Sequence, residues 1–223
     1  GVARARAWED AGNFVFNRAS QMRHLAGTMP IAPIVVAPYD AELYGHWWFE
    51  GPIFLEAVFR QLPQTNGEVV PTTLGAYLER QPLCAQSTPS ASSWGAGGYG
   101  EVWVGSQTGW SWRHVHHATR YAAWLVQRYR HEGGVTGAAL DQVIREMLLL
   151  QSSDWNFILK AGTQTEYAAA RIRTHTHRLR HLGHLLQHGP IVGDDARWVA
   201  DVCARDTFLS TLSGDELRRS FDA

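Results

Sequence analysis

The densest concentration of side chains able to do chemistry is Pro38-Tyr39-Asp40-Ala41-Glu42-Leu43-Tyr44-Gly45-His46-Trp47-Trp48-Phe49-Glu50-Gly51-Pro52. Three carboxylates, an imidazole and two adjacent indoles fall within these fifteen positions. Carboxyl groups exchange protons with departing and arriving oxygens, and indole faces stack on the C–H face of a sugar ring, so the composition suits acid/base work on a carbohydrate. The same residues also fit a loop that packs its aromatics under a following helix, with Asp40 capping a turn. Trp is more frequent than Tyr or Phe, 10 against 7 and 8. Trp94, Trp103, Trp110 and Trp112 form a further cluster, pointing to a flat, uncharged ligand.

The elements that must hold these residues follow from patterning. Pro33-Ile34-Val35-Val36-Ala37-Pro38 is an almost wholly apolar, β-branched run between prolines, as expected of a strand buried on both faces in a parallel sheet or barrel. Asp40 then lies just past the C-terminal end of that strand, where barrel enzymes carry their chemistry. Gly51-Pro52 opens a helix with the stripe Phe54, Leu55, Val58, Phe59 and Leu62. An earlier helix is expected over 6–28, and Val69-Val70-Pro71 reads as a second short strand before a small helix capped by Thr72 or Thr73. Residues 81–113 form a long Ser-, Gly- and Trp-containing loop interrupted only by the strand-like Val102-Trp103-Val104. From about residue 114 helical patterning dominates, with helices expected to about Tyr129, through Leu140–Leu150, over about 165–188 and over about 194–205. The boundary falls near residue 88, giving domains 1–88 and 89–223.

The composition narrows the function classes. The chain has 223 residues, 45% hydrophobic and 18% charged, with a net charge of -1. That describes a folded protein without the electrostatic footprint of a nucleic-acid or membrane-surface binder. Cys84 and Cys203 supply neither a disulfide framework nor a four-thiolate metal site, and no apolar run reaches the length of a membrane span; the cytoplasm is the expected compartment. The sequence opens at Gly1 within a segment that reads as the middle of a helical region, so it is expected to be part of a longer or processed protein. His177, His181, His184 and His188 share one helix face, but neighbouring Arg173, Arg178 and Arg180 make that face cationic, and no metal is expected there. Gly95, Gly97, Gly98 and Gly100 lack the Lys-Ser/Thr of a phosphate loop.

The run Ala37–Pro52 resembles the fourth signature region of glycoside hydrolase family 57, in the form typical of its 1,4-α-glucan branching enzymes. Ser92-Ser93-Trp94-Gly95, Val102-Trp103, Arg145-Glu146 through Gln151-Ser152-Ser153-Asp154-Trp155, and Arg205-Asp206-Thr207-Phe208 follow in the order that the resemblance requires. It implies a fold built from the C-terminal strand unit or units of a (β/α)7-type barrel, an α/β remnant, followed by a mainly α-helical C-terminal domain that contributes to the glucan groove. It also implies a retaining transfer that makes α-1,6 branches in α-glucan (glycogen-type) biosynthesis. Asp40 matches the family's general acid/base. Trp94 and Asp154 match its substrate-binding pair, and Trp103, in a strand-like run that also suits core packing, matches a second groove tryptophan, while His46, Trp47 and Trp48 are expected either to shape the pocket floor or to brace the Asp40 loop. The glutamate nucleophile has no counterpart among these residues. The chain is therefore expected to be inactive alone and to partner the N-terminal barrel portion of the same enzyme, with α-glucan as substrate and no metal or cofactor. Two other readings remain open: a non-catalytic α-glucan-binding protein, and part of a family 57 α-amylase or 4-α-glucanotransferase.

Overall fold

The computed structural model describes residues 1–129 and 133–219. The chain folds into two compact units, Gly1–Thr88 and Pro89–Ala223.

In the first unit, α1 (Val2–Thr28) packs against α2 (Gly51–Gln61). The packed face of α1 is Ala7, Ala11, Val15 and Ala19, one residue every four. Small side chains at this spacing let the backbones approach, and Ala57, Val58 and Leu62 fill the other side. The Gln61 amide, itself buried, donates to the Trp8 carbonyl at 3.0 Å, tying the two helices together. Apolar patterning misplaces this seam. Leu55 and Phe59, expected in the stripe of α2, are exposed, because the seam follows Phe54, Ala57 and Val58 toward Gln61 and Leu62. Trp8 and Phe16 of α1 likewise face outward. A short α3 (Leu74–Arg80) starts where Thr73 Oγ1 accepts from the Ala76 amide at 3.2 Å, as the capping preference predicts.

No strand occurs among the described residues, which corrects the expectations for 33–38, 69–71 and 102–104. An extended apolar run becomes a strand only when a neighbour accepts its backbone hydrogen bonds. Residues 33–38 run irregularly with Val36 exposed, and Tyr77 Oη anchors the segment just upstream by donating to the Ala32 carbonyl at 2.7 Å.

The second unit is a helical bundle: α4 (Gly109–Arg128), α5 (Gly134–Leu150), α6 (Asp154–Ala161), α7 (Thr165–Gln187), α8 (Gly193–Arg205) and α9 (Gly214–Arg219). Helix α5 lies at its centre, against α4, α7, α8 and α9. Leu125, Leu140, Ile144, Ile172, Leu179 and Leu182 are buried together, each contributing about 1.5–3 kcal/mol of transfer free energy. Helix α4 begins five residues before the patterning suggests. Helices α6 and α9, of eight and six residues, are too short for a period to register. No helix among the described residues is long and apolar enough to cross a membrane.

Candidate functional site

In the first unit, Asp40 precedes a 3-10 turn (Ala41–Leu43). Its carbonyl accepts from the Leu43 amide at 3.1 Å, while its carboxylate is exposed and makes no hydrogen bond or ion pair with any described residue. The chain then doubles back. The His46 and Trp47 amides both donate to the Glu42 carbonyl, at 3.2 and 2.9 Å, and the Gly51 amide donates to the Trp48 carbonyl at 2.9 Å. Gly51 is required by this fold-back: a Cβ there would lie 2.5 Å from the Leu43 carbonyl oxygen and 2.8 Å from Tyr44 Cα. Trp48 turns inward on Phe54, with ring centroids 5.1 Å apart, and braces the loop. Trp47 is 70% exposed, beside His46 with ring centroids 6.4 Å apart. Tyr44 packs edge-on to Tyr39, and burial, followed by the Tyr39 charge, pushes its phenol up. The loop thus presents three carboxylates, Asp40, Glu42 and Glu50, none with a side-chain partner among the described residues, next to solvent-facing aromatics.

In the second unit, Trp94, Trp103 and Phe157 form a contiguous aromatic group, Trp94 lying 6.3 Å from Trp103 and 6.1 Å from Phe157 between ring centroids. Trp94 is 67% exposed and offers its face to solvent. Trp103 is half-buried in a turn, with its Nε1 buried and without a hydrogen-bond partner among the described residues. Its carbonyl is a hub that accepts from Thr108 Oγ1 at 2.8 Å, Trp112 Nε1 at 2.8 Å and Asn156 Nδ2 at 3.2 Å. Gly95 permits the packing: its φ is +92°, and a Cβ there would lie 2.9 Å from Val102 and 3.5 Å from the Trp103 ring. Lys160 of α6 donates to Glu101 at 2.8 Å, and this hydrogen bond and charge hold the Glu101 carboxyl below its ordinary range.

Asp154 opens α6 one turn before Phe157, exposed, accepting from Ser152 Oγ at 3.1 Å. A cavity of about 260 Å³ lies alongside, bordered by Trp103, Trp112, Ser152, Ser153, Trp155 and Asn156. Of the residues singled out from sequence, Trp94 and Trp103 are therefore in one group, Asp154 is on the helix that completes it, and Asp40, His46 and Trp47 share a loop of the other unit. Sequence reading missed Phe157 and Asn156. Their signal was the run Asp154-Trp155-Asn156-Phe157, whose fourth residue shares a helix face with the first.

Beneath α6 the interior is ionic. Glu146, His175 and Asp206 bring ligand-type atoms within 4.8 Å of one another, yet the space between them is claimed by the Arg178 guanidinium, which pairs with Asp206 and stands 3.8 Å from Glu146. With that cation in place the donor set does not suit a metal ion.

Residues 114–214 match the family described as 1,4-alpha-glucan branching enzyme, C-terminal. The chain is 34% identical over 175 residues to the 1,4-alpha-glucan branching enzyme of Thermococcus kodakarensis, a match covering 78% of this chain and 26% of that protein. It is 32% identical over 173 residues to a probable 1,4-alpha-glucan branching enzyme of Mycobacterium tuberculosis, covering 75% and 32%. Its fold is similar to the crystal structure of a GH57-type branching enzyme from Pyrococcus horikoshii, with a TM-score of 0.77 and 28% identity over 95% of this chain and 40% of that one. It is also similar to the α-amylase AmyC from Thermotoga maritima, with a TM-score of 0.71 and 30% identity over 96% and 39%. The chain spans between a quarter and a third of the length of the curated relatives it matches. In sequence and in fold it belongs to the glycoside hydrolase family 57 branching enzymes, of which it represents the C-terminal part.

Proposed function

We propose that the chain supplies the acid/base and part of the glucan groove of an α-1,4-glucan branching enzyme, while the nucleophile comes from a barrel portion outside these 223 residues. In this reading residues 1–88 are the C-terminal end of the catalytic barrel and 89–223 the groove-forming helical domain. The observation that carries it is the likeness to branching enzymes over 78% of the chain. The exposed, unpaired Asp40 carboxylate and the solvent-facing Trp94 supply the chemistry that such a role needs.

A retaining transfer sets two carboxyl groups about 5–5.5 Å apart across the scissile bond. The partner glutamate attacks the anomeric carbon while protonated Asp40 donates to the departing glycosidic oxygen. Ionised Asp40 then takes the proton of the incoming 6-hydroxyl of a second glucan chain, whose oxygen displaces the enzyme carboxylate. Trp94 carries a glucose ring on its indole face, supported from behind by Trp103 and Phe157, and Asp154 accepts hydrogen bonds from sugar hydroxyls. Trp47 and His46 line the floor beside Asp40. The compartment in this reading is the cytoplasm, and no metal or cofactor takes part.

The likeness to an α-amylase favours hydrolysis as a second reading. Incubating amylose with the chain alone, and with the chain joined to the barrel portion of a relative, separates the possibilities. The joined protein is expected to form α-1,6 linkages and the chain alone none. Branching by the isolated 223-residue chain would overturn the split site, and reducing ends without branches would favour the amylase.

A further inference from the structure

A cavity of about 530 Å³ opens between α4 and α7; it shares Ile172 with the cavity beside Trp103 and Asn156, and none of its lining residues has a role in the glucan reading. Its walls carry two guanidiniums, Arg173 and Arg180, three imidazoles, His114, His177 and His181, and the indole of Trp110; no carboxylate among the described residues lines it.

The cationic character follows from α7. This helix has four arginines and four histidines against a single carboxylate, Glu166. Residues seven apart return to the same face after two turns, so the arginines fall into two pairs. Arg171 and Arg178 face Asp206, which stands 3.8 Å from Arg171 and is ion-paired with Arg178. Arg173 and Arg180 face the cavity, and neither has an ion-pair or hydrogen-bond partner among the described residues. One face is neutralised, and the other is a positive row whose arginines have no ion pair among the described residues; the nearby Asp201, which borders an adjoining cavity with Arg173 and His177, is ion-paired with Arg205. From Arg173 to His181 that row is about 12 Å long. The field is felt at the facing helix: burial first, then Arg113, Arg180 and His117, push the His114 imidazole below its ordinary value.

Guanidinium forks beside imidazole donors match the several oxygens and double negative charge of a phosphate, which two arginines can grip together. The row is longer than one carboxylate can occupy, and Trp110 with Ile172 adds an apolar wall that a phosphate alone leaves unused. We propose that this cavity is a binding site for a phosphorylated small molecule, its phosphate held between Arg173 and Arg180 and its uncharged ring laid against Trp110. The cationic surroundings that argue against a metal on the histidine face are what such an anion requires.

The test is isothermal titration of the 223-residue chain with inorganic phosphate, a hexose phosphate and a nucleoside diphosphate, repeated on Arg180→Gln and on the double variant Arg173→Gln/Arg180→Gln. Saturable one-to-one binding is expected for at least one of the two ring-bearing phosphates, tighter than for inorganic phosphate. It should weaken tenfold or more in Arg180→Gln and vanish in the double variant, with unfolding midpoints unchanged because both side chains are exposed. Which ring compound binds distinguishes a sugar phosphate from a nucleotide. No saturable binding of either, equal binding by the double variant, or binding of inorganic phosphate alone would overturn the proposal.

Discussion

Glu146 and His175 meet at 2.6 Å in the interior of the helical unit, both side chains fully buried. This contact joins α5 to α7 and belongs to a larger network. Gln142 Nε2 donates to the other Glu146 oxygen at 2.8 Å, and Arg145 bonds the Gln142 amide oxygen and the Phe208 carbonyl. Two sequence motifs some sixty positions apart, Arg145-Glu146 and Arg205-Asp206-Thr207-Phe208, are thereby one structural device. It fixes the C-terminal end of α5, and α6, with Asp154 and Phe157, follows directly from that end.

Removing one member of a buried charged group leaves the others desolvated and unpaired, at a cost of roughly 3–5 kcal/mol. Glu146→Ala is expected to lower stability by about that amount in urea unfolding. Glu146→Gln keeps an acceptor for Gln142 and should lose less. A loss under about 1 kcal/mol for the alanine variant would mean that the network is not structural.

Trp94 is 67% exposed, so truncating it removes little buried area. Trp94→Ala is expected to leave the unfolding midpoint nearly unchanged and to weaken maltooligosaccharide binding about tenfold, or ~1.4 kcal/mol. Equilibrium titration of both proteins checks this. Unchanged affinity would show that the indole face is not a sugar platform.

Cys84 is exposed and Cys203 is half-buried. Burial pushes the Cys203 thiol up, an effect that Arg145 opposes and Asp141 and Glu146 reinforce. The thiolate is the nucleophile, so iodoacetamide at pH 8 should label Cys84 much faster, and Cys203 should catch up only on unfolding. The sign for stability follows from the raised value. The contribution is complete below the ordinary thiol range and lost as pH rises through the raised value. Equal labelling rates in the folded chain, read by peptide mass mapping, would contradict the burial.

Leucine-rich helices are legible because their apolar residues repeat at 3.6: Leu140, Val143, Ile144 and Met147 mark α5, and Ile172, Leu179 and Leu182 mark α7. Helix α1 is legible as a helix but not in its orientation, since its packed face is mostly alanine and its larger residues Trp8 and Phe16 face solvent. The apolar run 33–38 carries the composition of a strand without a described strand to pair with. Among the candidate residues, Trp94 and Asp40 stand out by motif. The Trp94–Phe157 contact and the Asn156 bond to the Trp103 carbonyl join segments more than fifty residues apart, which no local period encodes. The pairing of Glu146 with His175 is hidden for the same reason.

Asp40 bears the largest share of the proposed chemistry. The decisive measurement is the initial rate of α-1,6 linkage formation from amylose by the chain joined to a relative's barrel portion, compared with its Asp40→Asn variant. General acid/base catalysis contributes about 10²–10⁴-fold, and a loss in that range is expected, with maltooligosaccharide affinity and unfolding midpoint retained. A variant rate within a few-fold of the parent would contradict the assignment of Asp40 as the acid/base.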